Sequence, residues 1–224
     1  MAQLQLVSPT VQVPPRAAEF SPLSLKLWDL DWRKILPWSF EEVTVESGTF
    51  EDALPFIAEN YARIFGTGDG QSRFLVEPMT PAKRRFGAEM DVFLFRVEGR
   101  TIGVVMGHAS DWSTYYLRTA AYLPEYRGRH LVQEFFDAMC GPLRDAGVVR
   151  VESDVTPTNV PMMRAHLGQG FIVSATTTSE RWGLVARMTK FLRDDAEEIF
   201  IRQFCGIAVK NKTPQNPNPD RRTP

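Results

Sequence analysis

Residues 123–136 read LPEYRGRHLVQEFF, and the change of rhythm inside this stretch decides the fold. Pro124 interrupts the strand-like run before it, because proline cannot donate to a ladder. From Leu131 onward the period becomes helical: Leu131, Val132, Phe135, Phe136, Met139 and Leu143 fall on one face. The spacing predicts a helix that opens near Gly128, kinks at Gly141-Pro142 and stops at Gly147. A loop that opens a helix offers an anion free backbone N–H groups and the positive end of the helix dipole. Arg127, Gly128, Arg129, His130, Leu131 and Val132 occupy that junction, and they are the candidate anion-binding residues.

Upstream of this junction the punctuation alternates between strand and helix signals. EEVTVES alternates apolar and polar residues, and Gly48 or Thr49 can cap a helix over EDALPFIAENYARIF that ends near Gly66. Thr80 and Pro81 are a cap and first position for a second helix through AKRRFGAEM. DVFLFRVEG and TIGVVMGHASDW are strands joined at Gly99 and Arg100, and STYYLRTAAYL is the strand that leads into the junction. Strict alternation puts Tyr116, Arg118, Ala120 and Tyr122 on one face of it. Downstream, VVRVESDVT is a strand. Pro157 to Gly168 is a helix capped by Thr158 or Asn159, and GFIVSATTT and GLVARMTKFL are two further strands. The order over residues 41–192 is βα(α)βββαβαββ, which implies an α/β fold: a mixed, mostly antiparallel sheet of six to seven strands with helices on both faces.

The flanks differ in composition from this middle. Residues 1–40 contain Pro9, Pro14, Pro15, Pro22 and Pro37 and then a Trp-rich run in which Trp28, Trp32 and Leu36 recur at helical spacing. They are expected to form an extension with a short amphipathic helix that packs on the main domain or docks a partner. Residues 193–207 are expected to form a C-terminal helix. From Lys210 the sequence KNKTPQNPNPDRRTP has no large apolar residue, so residues 208–224 cannot offset their ordering entropy and are expected to be a disordered tail.

Composition bounds the function. With 224 residues, 43% hydrophobic and 11% aromatic, the chain can bury the core of one domain. A formal charge of −1 carries no global pull toward nucleic acid or an anionic membrane. Cys140 and Cys205 make no disulfide framework. The amino terminus has no secretory pattern and no stretch is long and apolar enough to span a bilayer, so the expectation is a cytoplasmic protein. Histidines 108, 130 and 166 are scattered, so no metal site is expected, and no Gly-x-Ser-x-Gly, Walker or His-Glu-x-x-His motif is present.

Two motifs in order, LPEYRGRHLVQEFF and then TPTNVPMMRAHLGQGF at residues 156–171, resemble the acyl-CoA-binding core of the GCN5-related N-acetyltransferases. The resemblance covers about 150 residues of element order. It implies that acetyl-CoA or another acyl-CoA is the co-substrate and that Arg127 to Val132 form the pyrophosphate loop. His130 and Val132 stand where the family has small residues. It also implies a bulged strand whose amides, near Ala120 and Tyr122, meet the thioester and the pantetheine arm. Asn159 then orients the cofactor, and the position seven residues after it, a tyrosine in many members, protonates the departing thiolate.

Here that position is His166, a competent acid because an ordinary imidazole titrates near ~6.5. Tyr116 stands where several members carry a carboxylate base. Deprotonation of the amine would then fall to water, to Glu152 or Asp154, or to no dedicated base. His108, beside Asp111, is a further candidate. The catalytic candidates are thus His166, Glu152 and Tyr116. The expected reaction moves an acetyl or small acyl group to a primary amine, on a small molecule or peptide, by direct attack. Two alternatives stay open: acyl carrier protein as donor, since its single phosphate asks less of the loop, and a non-catalytic acyl-CoA-binding module. A second copy of the chain is the remaining expected partner, as a homodimer.

Overall fold

The computed structural model describes residues 27–65, 80–179 and 182–204. The expected disordered tail, Cys205, most of the N-terminal extension and the last residues of the expected C-terminal helix lie outside them. The chain order is helix α1 (Trp32–Ile35), strands β1 (Trp38–Phe40) and β2 (Val43–Gly48), helices α2 (Phe50–Phe65) and α3 (Pro81–Ala88), and strands β3 (Asp91–Val97), β4 (Arg100–Asp111) and β5 (Thr114–Tyr122). After a single 3-10 turn at Pro124–Tyr126 come α4 (Leu131–Asp145), β6 (Arg150–Val155), α5 (Val160–Gly168), β7 (Ile172–Ser179), β8 (Gly183–Phe191) and α6 (Asp194–Phe204). All eight strands form one sheet in the order β1-β2-β3-β4-β5-β6-β8-β7. That is one strand more than the most the sequence spacing predicts.

The additional strand comes from the Trp-rich segment. Its helix is only the four residues Trp32–Ile35, capped by the Asp31 carboxylate, so Trp28 and Leu36 lie outside it. After Leu36-Pro37 the chain pairs Trp38↔Val45 along the sheet edge. Trp32, 4% exposed, meets Trp38 and Phe93 edge-on at 5.9 and 4.9 Å between ring centroids. Phe135 of α4 meets Phe93, Phe95 and Trp38 on the same side. That aromatic cluster is the core of one face, while α2 and α3 cover the other.

Local chemistry sets the element ends. Asp52 accepts from the Thr49 amide and hydroxyl while Thr49 Oγ1 accepts from the Asp52 amide, a reciprocal cap that starts α2. Thr80 caps α3 through the Lys83 amide. The β3–β4 hairpin turns through Glu98 and Gly99, at φ +49° and +78°, between the paired Val97 and Arg100. That is one residue earlier than the expected Gly99-Arg100, and both positive φ values suit a tight two-residue turn. Helix α4 runs on through Gly141 and Pro142 to Asp145.

Every neighbouring strand pair is antiparallel except β5 and β6. Their parallel register runs Thr114↔Arg150, Tyr115↔Val151, Tyr116↔Glu152 and Leu117↔Ser153, and then stops. On the other side of β5, Met106 pairs with Thr119 and Gly107 with Leu117, leaving Arg118 as an extra residue. This bulge falls where the two strands part, and it reverses the alternation. Tyr115, Leu117, Ala120 and Tyr122 therefore share the α4 face, and Tyr116 looks to the α2/α3 face. The expected single face for Tyr116, Ala120 and Tyr122 is corrected by this one inserted residue.

The α4 face of β4 carries glycines where the β5 rings cross it. A Cβ on Gly107 would lie 2.5 Å from Cε1 and 2.7 Å from Oη of Tyr115, whose hydroxyl donates to Asp91 at 3.0 Å. Gly107→Ala is expected to destabilise the fold by about 1–3 kcal/mol through this overpacking. The effect would be read as a lower urea midpoint with unchanged slope.

Candidate active site

The fork opened by β5 and β6 leads directly into the 123–131 junction. Gly128 (φ +74°) and His130 (φ +58°) are left-handed, on either side of Arg129. Among the described residues the amides of Gly128, Arg129, His130, Leu131 and Val132 donate to no backbone carbonyl, whereas those of Gln133 and Glu134 bond the His130 carbonyl and start α4. Five consecutive free amides, folded around two left-handed residues at a helix N-terminus, form an anion-receptive concavity. His130 caps α4 without a side-chain hydrogen bond. Its β-carbon thus occupies a left-handed position that glycine takes at less cost.

The two loop arginines are engaged in holding the turn. Arg127 Nη2 donates at 2.6 Å to the Ile64 carbonyl near the end of α2. Arg129 pairs with Glu42 and stacks over the Tyr126 ring, its guanidinium carbon 4.9 Å from the centroid. Glu125 meets Arg63 at 3.0 Å. These contacts tie the loop to α2 and to the chain just ahead of β2. In this arrangement both arginine side chains are engaged, and the backbone amides of residues 128–132 are left open.

Ala120 and Tyr122 sit on β5 beyond the last β5–β6 rung. The Tyr122 side chain is buried against Phe95 and over Gly103, so any contact this residue makes in the fork is through its backbone. Asn159 caps α5, its side-chain oxygen accepting from the Met162 amide at 3.3 Å.

On the α2/α3 face of the fork lies a connected polar cluster. Tyr116 donates to Asp154 at 3.2 Å, and Arg187 grips Asp154 through Nε and Nη2 at 2.9 and 3.1 Å. Glu152 lies between Arg150 Nε at 3.1 Å and Arg187 Nη1 at 3.6 Å. Burial and then the Asp154 charge push the Tyr116 hydroxyl up to about 12. It stays a neutral donor at physiological pH, and the expected catalytic group here acts only as phenol. The guanidiniums of Arg150 and Arg187 both face the Glu152 carboxylate. His108 stacks between Tyr116 and Phe86, with centroids at 5.6 and 5.9 Å, and its Nδ1 lies 2.9 Å from the Ala109 carbonyl. Arg118, the bulge residue, lies over Phe86 at 5.7 Å.

His166 projects from α5 onto the opposite face. It is 3% exposed and lies edge-on against Phe136 and Phe171, at 5.0 and 4.6 Å. Desolvation pulls its pKa down from 6.5 to about 4. Nδ1 lies 2.9 Å from the Met162 carbonyl and Nε2 lies 2.6 Å from Ser153 Oγ. A carbonyl only accepts, so the neutral ring carries its proton on Nδ1 and Nε2 accepts from the serine. The expectation of an imidazolium acid at His166 is corrected on this geometry: at neutral pH the ring has no proton to give on the side that faces the sheet.

Ser153 is the residue that motif reading passed over, although its signal was present. It is the lone hydroxyl among inward-facing Val151 and Val155, and a buried hydroxyl needs a partner.

A sequence model described as the Acetyltransferase (GNAT) family matches residues 33–171. This chain belongs to the GNAT acetyltransferase family. Solved structures share its fold at low identity. The ribosomal-protein-S5-alanine acetyltransferase of Vibrio fischeri superposes with a TM-score of 0.55 at 15% identity, over 71% of this chain and 98% of that one. A Salmonella typhimurium protein solved with its cofactor acetyl-CoA gives 0.51 at 16% identity, over 69% and 96%. A spermidine N-acetyltransferase chimera from Vibrio cholerae gives 0.52 at 12% identity, over 68% and 96%. No curated protein sequence matches the chain. Among the described residues no helix is long and apolar enough to cross a membrane.

Two outcomes follow from this GNAT site. His166 binds a proton more weakly folded than unfolded, so its contribution is complete above the free value near 6.5 and is lost as pH falls toward about 4. This lost increment is roughly 3 kcal/mol. His166→Gln is expected to flatten that part of the stability curve, measured by urea unfolding at pH 7 and pH 4.5. His130→Gly is expected to raise stability by up to about 1 kcal/mol. It should also leave CoA binding at least as tight, measured by calorimetry, since the change keeps the residue 130 amide and removes only the imidazole.

Proposed function

We propose that the protein transfers an acetyl or small acyl group from acyl-CoA to a primary amine by direct attack. The observation that carries this reading is the parting of β5 and β6 at Leu117/Ser153, directly ahead of the five free amides at residues 128–132. A fork of that shape suits an extended, amide-bearing arm lying against unpaired strand backbone, and the concavity beyond it suits a pyrophosphate. Such a co-substrate supplies the activated thioester. Residues 128–132 would bind its phosphates, Ala120 and Tyr122 would meet its arm through their amides, and Asn159 would hold the start of α5 beside it. The acceptor would approach from the α2/α3 face, past Tyr116, Arg118 and His108, and its surplus proton would leave to water. We take the compartment to be the cytoplasm, in keeping with the cysteine usage of the chain.

A second reading is favoured by the engagement of Arg127 and Arg129 with Ile64 and Glu42. With both guanidiniums occupied, a donor with a single phosphate, acyl carrier protein, would ask less of the loop. The engagement of Glu152 with Arg150 and Arg187 similarly favours a module that binds acyl-CoA without turning it over. Incubation with acetyl-CoA and a panel of peptide N-termini, lysine peptides, polyamines, aminoglycosides and amino acids is expected to release free thiol with at least one acceptor. No turnover with any acyl-CoA, together with no CoA binding, would overturn the enzyme reading. Binding without turnover would leave the module, and faster transfer from acyl carrier protein would reassign the donor.

A further inference from the structure

We propose that Ser153 is the group that meets the departing CoA sulfur, with His166 as the residue that positions it; this rests on the acyl-CoA reading above. Ser153 is the last residue of β6 in register with β5, opposite Leu117, and so stands at the apex of the fork. It faces α4 and α5, opposite the face on which Tyr116 and Asp154 lie. An amine arriving from the α2/α3 face pushes the leaving sulfur toward the other face, which is where this hydroxyl sits. His166 is farther back, on α5, and its inner nitrogen is covered by Ser153 Oγ at 2.6 Å. The hydroxyl thus lies between β6 and the imidazole.

The Nδ1–H tautomer of His166 leaves the serine a hydrogen that can be redirected. With Nδ1–H bonded to the Met162 carbonyl, Nε2 is an acceptor, and the Ser153 O–H points at it in the resting state. When the amine nitrogen bonds to the thioester carbon and the C–S bond breaks, the electron pair stays on sulfur. The serine O–H then turns from a neutral nitrogen to a thiolate, a stronger acceptor. Ser153 keeps its proton throughout, since an aliphatic hydroxyl is a far weaker acid than a thiol. The proton released by the amine goes to water, and the free thiolate takes one from water after it leaves. His166 holds the hydroxyl in place between turnovers and never needs to become charged, which its burial between Phe136 and Phe171 makes costly. The hydrogen bond strengthens only as charge develops on sulfur, so it acts on kcat more than on substrate binding.

The test is a same-shape pair in the full-length chain. Ser153→Thr keeps a hydroxyl and Ser153→Val replaces it by a methyl of equal size, so packing is matched between them. With acetyl-CoA and an acceptor from the amine panel, Ser153→Thr is expected to keep kcat within about threefold of wild type, while Ser153→Val loses about 10–100-fold. The KM for acetyl-CoA should be the same in both. With an acetyl thioester of 4-nitrothiophenol as donor, whose thiolate needs no help to leave, the two variants should turn over equally. Equal kcat for the pair with acetyl-CoA, or a valine defect of the same size with both donors, would overturn the role of Ser153 and leave the acyl-CoA reading intact. A wild-type protein that releases no thiol from any acyl-CoA would overturn that reading itself.

Discussion

The rest of the structure depends on a ladder that stops. Strands β5 and β6 hold only four parallel rungs, from Thr114↔Arg150 to Leu117↔Ser153, and the inserted Arg118 falls at the point of divergence. Backbone amides and carbonyls strongly resist being left without partners. A sheet that parts in its middle therefore either admits water or is completed by something with its own amides. The fork is the candidate site for that reason, and neighbouring features are arranged around it. The bulge assigns Tyr116 to one face and Ala120 and Tyr122 to the other, and the chain leaving β5 turns into the amide-rich junction that starts α4.

Stability on either side of the fork has separate sources. On the α4 face, Trp32, Trp38, Phe93, Phe95 and Phe135 form one aromatic cluster, which fixes α4 against the sheet and so fixes its N-terminus. The loop itself is held by three of its own side chains reaching out to other elements: Arg127 to Ile64, Arg129 to Glu42 and Glu125 to Arg63. Exposed pairs of this type contribute little energy each. Their effect is on geometry, since they keep five amides open where a tighter turn would have consumed them.

The two faces of the fork also differ electrically. Toward α2 and α3, Arg150, Glu152, Asp154, Arg187 and Tyr116 form a charged but internally compensated network. Toward α5, His166 is uncharged, enclosed by Phe136 and Phe171 and bonded to a serine and a carbonyl. A thioester lying between them would have its acceptor side wet and polar and its leaving-group side dry and neutral. In the dry half a single hydroxyl counts for more than in water, because the local dielectric is low.

Much of this was legible in the sequence. The period change after Pro124, the caps at Thr49, Thr80 and Asn159, and the Gly170-Phe171 offsets are local signals, and local signals survive without knowledge of the partner. The α/β order and the GNAT likeness follow from them. What only the tertiary structure decided is which side chains meet. One residue inserted at Arg118 reverses a face that strict alternation assigns, because a β-bulge leaves no mark on composition. The Trp-rich segment reads as a helix from its spacing, but Trp38–Phe40 becomes an eighth strand because an open sheet edge accepts it. His166 reads as an acid from its chemistry alone. Its burial and its bonds to Ser153 and Met162 make it neutral, because the charge state of an imidazole is set by what surrounds it, and those surroundings are assembled only when α4, β6 and α5 pack together.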